Sequence, residues 1–478
     1  MSVVLCGCAD KPTQPDKTPV ALRIEAPARS IFSGGSLQLM ATASFTDGTS
    51  GEVTNEVTWS NLPGRAGTVT KSGLFIASTD SLGLETIRAD YQGQTASVQI
   101  EVTKRATTLA IWPAHMNVQA GTSVQFTAIA EFQDLSRSDV TQNVAWSVSP
   151  GVAATIDANG LLRAMPGATG KETVTGSYQL LVTRSKVEVQ ADLAMPFEMV
   201  TIPAGSFVMG DNHGRSNERP EHEVFVDAFQ IGKYEVTNAQ YATFLNEALA
   251  AGEIFYESFI VRARKGPFVA LIYTKLCKSF EFPDEFIEFT ETEPGSKVFR
   301  FRAKPGFEQY PVVRLNWFGA AAFCAFYGLR LPTEAEWEKA CRGGQQLTYG
   351  TPDGSLSPDV ANYAGTGGRD VFEGLAPVGS FPPNPYGLYD MSGNAAEFVF
   401  DLYDAGYYAN SPPQNPQGPP PTTIFERRAG STVLWRGGSW IDAENSCRSA
   451  FRGPIGDQVD HCFLVFSVVG FRVTRSLP

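Results

Sequence analysis

The chain has 478 residues, and 38 lysines and arginines against 50 aspartates and glutamates give it a formal charge of −12. At roughly 150 residues per domain, this length predicts about three domains, each long enough to bury its own core. The acidic balance argues against nucleic-acid binding, which depends on clustered basic side chains, and four histidines are too few to favour a histidine-rich zinc or iron site.

Residues 1–17 contain two early cysteines followed by a polar stretch. Leu5-Cys6-Gly7-Cys8 resembles the bacterial lipoprotein signal in which Leu-x-Gly precedes a lipidated cysteine, so Cys8 is the predicted lipidation site. Few residues precede Cys8, and the alternatives are a truncated signal and a chance match. No apolar run is long enough to predict a membrane-spanning helix. We therefore expect a leader and tether at the cell envelope or surface, with the membrane reached only through a lipid anchor.

An internal repeat follows residues 1–17. Many residues recur 87 positions later in the chain, and Trp59, for example, corresponds to Trp146. Within each copy, short runs alternate apolar and polar residues between turns, which is typical of strands in a small antiparallel sandwich. The copies resemble bacterial immunoglobulin-like domains of group 2. We predict two all-β immunoglobulin-like sandwiches, at residues 18–103 and 104–192, with no catalytic residues.

Helical signals join the strands in the second half of the chain. Thr237 or Asn238 can cap a helix that follows a strand. The apolar run of residues 320–326 predicts another helix, which buries Cys324 in the core.

A third helix start is predicted at Pro332-Thr333, because carboxylates follow in its first turn. Glu334, Glu336 and Glu338 could be taken for catalytic carboxylates. Capping and surface pairing already explain them, so we assign them no catalytic role.

Long motifs of the second half point to one family. They include residues 330–338, 387–397, 436–440 and 470–473. Their order resembles the formylglycine-generating, or sulfatase-modifying factor, family, whose fold is a variant of the C-type lectin fold. The resemblance implies an α+β C-type lectin-like domain over residues 196–476.

Members of that family that oxidise a sulfatase cysteine bind copper through two closely spaced cysteines, since soft thiolates suit Cu(I). Counted without gaps from Trp440, these two places hold Asp442 and Cys447. Aligning Arg452 with the family's arginine instead moves Cys447 away from the second place. We therefore expect no catalytic residues and neither copper nor iron. The alternative is a formylglycine-generating or related metal-dependent oxidase in which Cys447 is essential.

The resemblance also implies structural calcium, which prefers carboxylate, amide and backbone oxygens. The first implied site comprises the side chains of Asn362 and Asp370 and the backbone oxygens of Tyr363 and Phe372. The second comprises Ser392, Gly393, Asn394, Ala395 and Glu397. The alternative is that Asn362 and Asn394 only make hydrogen bonds within turns.

Residues 433–472 form an unusual segment, because apolar side chains follow Arg452 where a soluble surface would be polar. Their framework motifs resemble the variable proteins of diversity-generating retroelements, in which a C-terminal stretch is rewritten on a C-type lectin fold. The implied ligand-binding residues are Trp440, Ile441, Asp442, Ala443, Asn445, Ile455, Asp457, Val459, His461, Phe463, Leu464 and Phe466. The alternative is that residues 461–469 form one buried strand.

These features together predict a surface-displayed protein that binds a ligand through a diversified C-terminal segment. The expected partner is an unknown protein or surface ligand, held by apolar anchors. The alternatives are the oxidase described above and an envelope adhesion protein without a variable segment. Residues 253–306 match no motif of the family, and we interpret them as an insertion beside the variable face.

Overall fold

The structure is a computed structural model that describes residues 17–113, 115–134, 136–191, 197–257, 260–263, 272–275, 286–291, 299–418, 433–455 and 468–477. The chain divides into two compact units, one made of residues up to 107 with 132–136 and the other of residues 108–131 and 137–478. The predicted residues Cys8, Asp457, Val459, His461, Phe463, Leu464 and Phe466 lie outside the described ranges. Within those ranges, no helix is long and apolar enough to cross a membrane.

Three small sheets build the first repeat. Its strands are β1 (Pro19–Glu25), β2 (Ser30–Phe32), β3 (Ser36–Gln38), β4 (Met40–Phe45), β5 (Ser50–Glu52), β6 (Thr58–Leu62), β7 (Gly67–Val69), β8 (Leu74–Ala77), β9 (Gly83–Tyr91) and β10 (Gln94–Thr103). They pair in the orders β1-β4-β5, β2-β10-β9-β6 and β3-β8-β7. Every second side chain is buried along most of β9, so each strand gives one face to the core.

The second repeat has the same arrangement. Its strands are β11 (Ala106–Trp112), β12 (His115–Gln119), β13 (Ser123–Gln125), β14 (Thr127–Phe132), β15 (Arg137–Asp139), β16 (Ala145–Ser149), β17 (Ala154–Ile156), β18 (Leu161–Ala164), β19 (Gly170–Tyr178) and β20 (Leu181–Gln190). They pair as β11-β14-β15, β12-β20-β19-β16 and β13-β18-β17, which is strand for strand the order of the first repeat.

The repeated residues explain why both copies fold alike. Gly73 and Gly160 adopt positive φ angles of 77° and 80° in equivalent turns. A Cβ atom at either glycine would come within 3.1 Å of the indole of Trp59 or Trp146, respectively. The glycine therefore serves both the turn and the close packing of the tryptophan.

Each repeat also buries a carboxylate that the sequence analysis did not single out. Glu172 in β19 accepts hydrogen bonds from three successive backbone N–H groups, those of Gly151, Val152 and Ala153, at 2.7, 2.8 and 2.7 Å. Glu85 accepts the equivalent bonds from residues 64–66. In each repeat the carboxylate thus fixes the loop that leads into β7 or β17.

The rest of the chain is a mixed α+β domain. Its helices are α1 (Asn238–Ala250), α2 (Trp317–Phe326) and α3 (Glu334–Cys341). Its strands are β21 (Met199–Ile202), β22 (Gly205–Met209), β23 (His222–Val226), β24 (Phe229–Gly232), β25 (Ile254–Glu257), β26 (Ile260–Ala263), β27 (Ile272–Lys275), β28 (Ile287–Glu291), β29 (Phe299–Ala303), β30 (Ala396–Leu402), β31 (Val433–Arg436), β32 (Gly453–Ile455), β33 (Val469–Gly470) and β34 (Thr474–Ser476).

The predicted helix starts are confirmed. The side chain of Thr237 accepts from the backbone N–H of Gln240 at the start of α1, and Gln240 accepts in return from the backbone N–H of Thr237. Thr333 and Glu336 form the same reciprocal cap at α3. The predicted helix over residues 320–326 lies within α2, and Cys324 is buried there as expected.

One four-stranded sheet brings the C-terminal motifs together. Its order is β32-β31-β30-β33. Strand β30 therefore lies between β31, which leads into the motif of residues 436–440, and β33, which leads into the motif of residues 470–473. Glu397 of β30 pairs with Arg436 of β31 on one side and with Gly470 of β33 on the other. Segments far apart in sequence therefore converge around β30.

The described part of residues 253–306 packs on this domain. Ile254, Val261, Ile287 and Phe301 belong to the same apolar core as α1 and α2. The side chain of Asn246 in α1 forms two hydrogen bonds with the backbone of Phe301, at 2.8 and 2.9 Å. These strands extend the core on the α1 side.

The second repeat contacts the end of α2. Gly328 has a φ of 69°, and a Cβ atom there would overlap the carbonyl oxygen of Asn117 in β12. The ring of His115 lies 5.8 Å from that of Phe326, and Trp112 packs against the core of the α+β domain. The two domains lie in the same compact unit.

Candidate functional site

Four arginines from the C-terminal motifs lie inside the α+β domain. They are Arg436, Arg448, Arg452 and Arg472, and each forms an ion pair with a buried carboxylate. A buried charge is costly unless it is paired and hydrogen-bonded. We call these arginines and their carboxylate partners the arginine layer.

Glu334 of α3 connects two of the motifs. Its Oε1 atom lies 2.6 Å from Nη1 of Arg436 and 2.7 Å from Nε of Arg452. One turn later, the carboxylate of Glu338 lies 2.6 Å from Nη2 of Arg436 and 2.7 Å from Nη2 of Arg342. Helix α3 therefore holds in fixed positions both strand β31 and the segment of residues 448–452, which reads Arg-Ser-Ala-Phe-Arg.

The other two arginines are tied to different elements. Nη1 of Arg448 lies 2.8 Å from Oε2 of Glu218, which precedes β23. Nη2 of Arg472 lies 2.6 Å from Oε1 of Glu397 in β30. The indole of Trp337 donates to the other oxygen of Glu397 at 2.8 Å.

The interpretation of Glu334 and Glu338 as surface-pairing residues is wrong, because their side chains are 1% and 0% exposed. Glu336 does cap its helix and pairs with the partly exposed Arg330. Burial alone would raise the pKa of Glu338, but the guanidinium groups of Arg342 and Arg436 lower it below its usual value. These carboxylates are therefore structural anions that hold the arginine layer.

The turn of residues 440–445 lies at the surface. Ile441 is 59% exposed, and Ala443 and Asn445 are also exposed. Trp440 is half-buried and packs against the small cluster of Val313, Leu375 and Ala395. The side chain of Asp442 accepts from the backbone N–H of Ser439 at 2.9 Å, which closes the turn. The structure thus places the first five predicted ligand-binding residues on one turn, which we call the exposed turn.

The later part of the predicted segment is described only at its ends. Ile455 is the last residue of β32, where it pairs with Val433. Val469 is buried in β33 and pairs in parallel with Ala396, while Val468 is partly buried against the same core. The end of the predicted strand at residues 461–469 is therefore core, and residues 461–467 lie outside the described ranges.

The two cysteines near this turn are buried thiols. Cys447 ends the segment after the exposed turn, and burial raises its pKa well above the usual value. Cys341 lies with its sulfur 3.2 Å from the hydroxyl of Ser449, and burial raises its pKa to about 12. Both are free, so no disulfide joins them. Asp442 is the other residue at the family's copper-binding places, and its carboxylate accepts a hydrogen bond from the backbone N–H of Ser439.

The first implied calcium site contains an unsatisfied carboxylate oxygen. Asp370 is 1% exposed, and its Oδ1 atom accepts from the backbone N–H of Phe372 at 3.2 Å. Its Oδ2 atom is buried and makes no hydrogen bond of good geometry among the described residues. Burial raises the pKa of Asp370, and the nearby backbone N–H groups of Phe372 and Tyr363 partly offset that rise. Asn362 is also buried, and Tyr363 and Phe372 are half-buried. This donor set fits a hard cation, which would satisfy the free oxygen.

The second implied site fits calcium less well than the first. Both oxygens of Glu397 accept hydrogen bonds from Arg472. The amide of Asn394 accepts from the backbone N–H of Ala376 at 2.8 Å and donates to Glu235 at 3.0 Å. These residues are satisfied without a metal. Across the part of the chain that the structure describes, no group of three or more His, Cys, Asp or Glu residues is arranged to hold a metal ion.

Glu235 is a further buried carboxylate, which lies just before α1. Besides Asn394, it accepts from the backbone N–H of Ala395 at 2.9 Å. Burial, and then the nearby carboxylates of Asp390 and Glu397, raise its pKa well above the usual value. It helps to position β30 from the side of α1.

Comparisons with known proteins give two family matches. Residues 184–477 match the family of sulfatase-modifying factor enzyme 1-like domains, and residues 105–198 match the group 2 bacterial Ig-like domain. The chain is 32% identical over 299 residues to the formylglycine-generating enzyme of Bos taurus, which covers 59% of this chain and 76% of that protein.

Two further similarities were found. The chain is 35% identical over 221 residues to the inactive C-alpha-formylglycine-generating enzyme 2 of Bos taurus, covering 43% of this chain and 71% of that protein. Among solved structures it is similar to variable protein 1 of Treponema denticola, with a TM-score of 0.38, 23% identity, and coverage of 58% and 95% of the two chains. Relatives described as enzymes and a relative described as inactive are thus similar to this chain at nearly the same level of identity.

Proposed function

The chain belongs to the sulfatase-modifying factor enzyme 1-like family, and from that premise we propose that its C-terminal domain binds a ligand at the exposed turn instead of oxidising a cysteine. The observation that carries the proposal is that the two places where the family's oxidases bind copper through cysteines hold Asp442 and Cys447 in this chain. Asp442 closes the exposed turn through Ser439, and Cys447 is a buried thiol of raised pKa. A pair of accessible thiolates, which Cu(I) needs, is replaced by a surface that presents side chains.

A separation between scaffold and surface supports diversification of this segment. The arginines of the motifs are buried in ion pairs, whereas Ile441, Ala443 and Asn445 lie exposed between them. Exposed positions tolerate substitution because no core packing depends on them. We therefore propose a variable protein of the retroelement type, in which the residues between the framework motifs carry the variation, among them Ile441, Asp442, Ala443, Asn445 and residues of the stretch 455–466.

The N-terminal part of the proposal concerns display. The first repeat has the same strand order as the second, which matches a bacterial Ig-like domain, so we propose that both are immunoglobulin-like sandwiches. Lipidation at Cys8 would place them between the membrane and the binding domain. Radiolabelled palmitate incorporation by wild type, and its loss in Cys8→Ser, would test this part separately.

Calcium enters the proposal at one site. Asp370 supplies a buried oxygen without a partner among the described residues, and Asn362 lies in the same donor set. A bound calcium ion would supply positive charge that neutralises Asp370. Asn362 and the backbone oxygens of Tyr363 and Phe372 would complete the donor set.

The second candidate function is oxidation of a cysteine in a peptide substrate. The similarity to the formylglycine-generating enzyme of Bos taurus, which extends over 76% of that protein, favours it. Cys447 is the residue on which it depends.

One experiment separates the two functions. Wild type and Cys447→Ser, each supplied with Cu(I), are incubated in air with a cysteine peptide of sulfatase type, and aldehyde is measured by mass spectrometry. The binding function predicts no aldehyde that depends on Cys447. Aldehyde formed by wild type and absent in Cys447→Ser would overturn it.

The proposed diversification has its own test in the genome. We expect a reverse transcriptase gene nearby, with a near-copy of the last coding stretch that carries adenines at the variable codons. A neighbouring sulfatase gene, without such a copy, would instead favour the oxidase.

A further inference from the structure

Exposed apolar side chains are rare on the α+β domain. Among its described residues, the large hydrophobic side chains that are exposed belong to Val208, Val371 and Ile441, at 39%, 76% and 59%. Exposing an aliphatic side chain to water is unfavourable, and adjacent ones mark interaction sites. The two most exposed of the three lie on loops that touch each other.

A hydrogen bond joins these two loops. The backbone N–H of Ala364 donates to the carbonyl oxygen of Asp442 at 2.9 Å. Ala364 and Val371 lie on the loop of residues 363–373, which we call the cation loop, and Asp442 follows Ile441 in the exposed turn. The cation loop lies outside the segment that the sequence analysis identified as ligand-binding.

The cation loop is organised around Asp370. The backbone N–H of Asp370 donates to the carbonyl oxygens of Gly367 and Pro358, both at 2.9 Å. Its carboxylate holds the N–H of Phe372 through one oxygen and leaves the other buried without a partner among the described residues. Val371 lies between Asp370 and Phe372 in the chain, so a cation bound at Asp370 would fix the position of the Val371 side chain.

We propose that the cation loop is a constant half of the ligand face and that a cation bound at Asp370 holds it beside the exposed turn, so that ligand binding depends on the cation. The inference rests on the proposed binding function. It assigns Val371 as a ligand-contacting residue on the loop that is hydrogen-bonded to the exposed turn of Ile441.

The chemistry of the face selects one kind of partner. Val371 and Ile441 offer aliphatic contacts. On the exposed turn, Glu444 is an exposed carboxylate that also accepts a hydrogen bond from the hydroxyl of Tyr349 at 3.1 Å, whereas Arg369 is an exposed guanidinium on the cation loop. A carboxylate beside an apolar contact attracts a cationic side chain. The partner is therefore a protein whose contact presents a Lys or Arg next to an apolar side chain.

The cation half of the proposal is tested with calcium alone. Hydrogen exchange is followed by mass spectrometry in full-length wild type and Asp370→Asn, with calcium or with chelator. We expect calcium to slow exchange in residues 363–373 and in residues 440–445 of wild type, and to have no effect in Asp370→Asn. Slowing limited to residues 363–373, or equal slowing in the variant, would overturn the coupling.

The binding half uses a displayed library of random peptides, selected on wild type in calcium. Selected peptides are expected to carry a basic residue next to an apolar one and to bind at least tenfold more weakly to Val371→Asp, to Ile441→Asp and in chelator. Val208→Asp is the matched control, because it adds the same charge to an exposed valine of β22, and it should bind as wild type does.

The outcomes separate the two proposals. Binding that is lost in Ile441→Asp but unchanged in Val371→Asp overturns the two-loop face and leaves the proposed function standing. Binding that is unchanged in both variants overturns the proposed function as well. Circular dichroism of each variant establishes that it is folded before binding is compared.

Discussion

Nη2 of Arg436 and Oε2 of Glu338 lie 2.6 Å apart, and neither side chain is accessible to solvent. The two residues are 98 positions apart in the chain, one in β31 and the other in α3. A carboxylate and a guanidinium so placed are shielded from water, so removal of either leaves an uncompensated charge inside the domain.

Glu338→Ala should therefore destabilise the α+β domain strongly. It leaves Arg342 and Arg436 without their shared partner, and breaking a buried pair in this way costs about 3–5 kcal/mol of unfolding free energy. Urea unfolding followed by tryptophan fluorescence measures the change. Glu198→Ala, which removes an exposed partner of Lys233, should cost no more than about 1 kcal/mol. Equal losses of unfolding free energy in the two variants would show that the buried ion pair stabilises the domain no more than the exposed one does.

The same pair predicts a pH dependence. The pKa of Glu338 in the folded protein is below its ordinary value of 4.5, so its charged form stabilises the fold above about that pH. This contribution is lost as the pH falls through the lowered pKa of the folded state. The difference in unfolding free energy between wild type and Glu338→Gln should therefore shrink below about pH 4.5. A difference that stays constant from neutral to acid pH would contradict the assignment.

The cysteines give a third prediction. Cys341 and Cys447 are buried with raised pKa values, so both are thiols at pH 8. Iodoacetamide should leave them unmodified in the native protein and label them fully in urea, as peptide mass spectrometry can measure. Cys324, which is buried in α2, serves as the internal control. Rapid native labelling of Cys447 alone would favour the oxidase.

In the second repeat, Glu172→Ala removes the acceptor for three successive N–H groups. The N–H of Ala153 is buried, and a buried donor left without a partner costs about 1–3 kcal/mol. We expect a lower thermal unfolding temperature for this repeat and faster hydrogen exchange in residues 151–153. The neighbouring Lys171 side chain is 84% exposed, so Lys171→Ala should change neither quantity.

The contact between the second repeat and α2 depends on the absence of a side chain at Gly328. Gly328→Ala should speed hydrogen exchange in β12, because the new methyl group overlaps the carbonyl oxygen of Asn117. Gly306→Ala controls for backbone strain. Gly306 has a φ of 88° with no atom within 4 Å of the position of its Cβ, so this variant adds strain without overlap. Similar exchange in β12 of both variants would attribute the effect to strain.

Local signals allowed part of the fold to be predicted from sequence. The caps at Thr237 and Thr333 depend on residues within one helical turn, and the repeat is visible because Trp59 and Trp146 keep equivalent neighbours. Such features need no knowledge of distant contacts.

The arginine layer was not predictable in the same way. Glu334 follows a helix cap, which is sufficient reason for a carboxylate at the surface. Only its partners Arg436 and Arg452, 102 and 118 residues further along, show that it is buried. Likewise, the role proposed for Val371 depends on a hydrogen bond between Ala364 and Asp442, which no local sequence pattern predicts.

The ion pairs of Arg452 and Arg472 also bear on the length of the chain between them. Both guanidinium groups are anchored to buried carboxylates, Glu334 and Glu397, so the two ends of the intervening stretch are fixed independently of its contents. Loop-closure entropy grows only logarithmically, by about 0.6 kcal/mol for each doubling of length. Strands β32 and β33 at the two ends of this stretch pair with β31 and β30, so insertions and deletions should be accepted between Ile455 and Val468 rather than within the strands. The proposed ligand face could then change its reach as well as its residues.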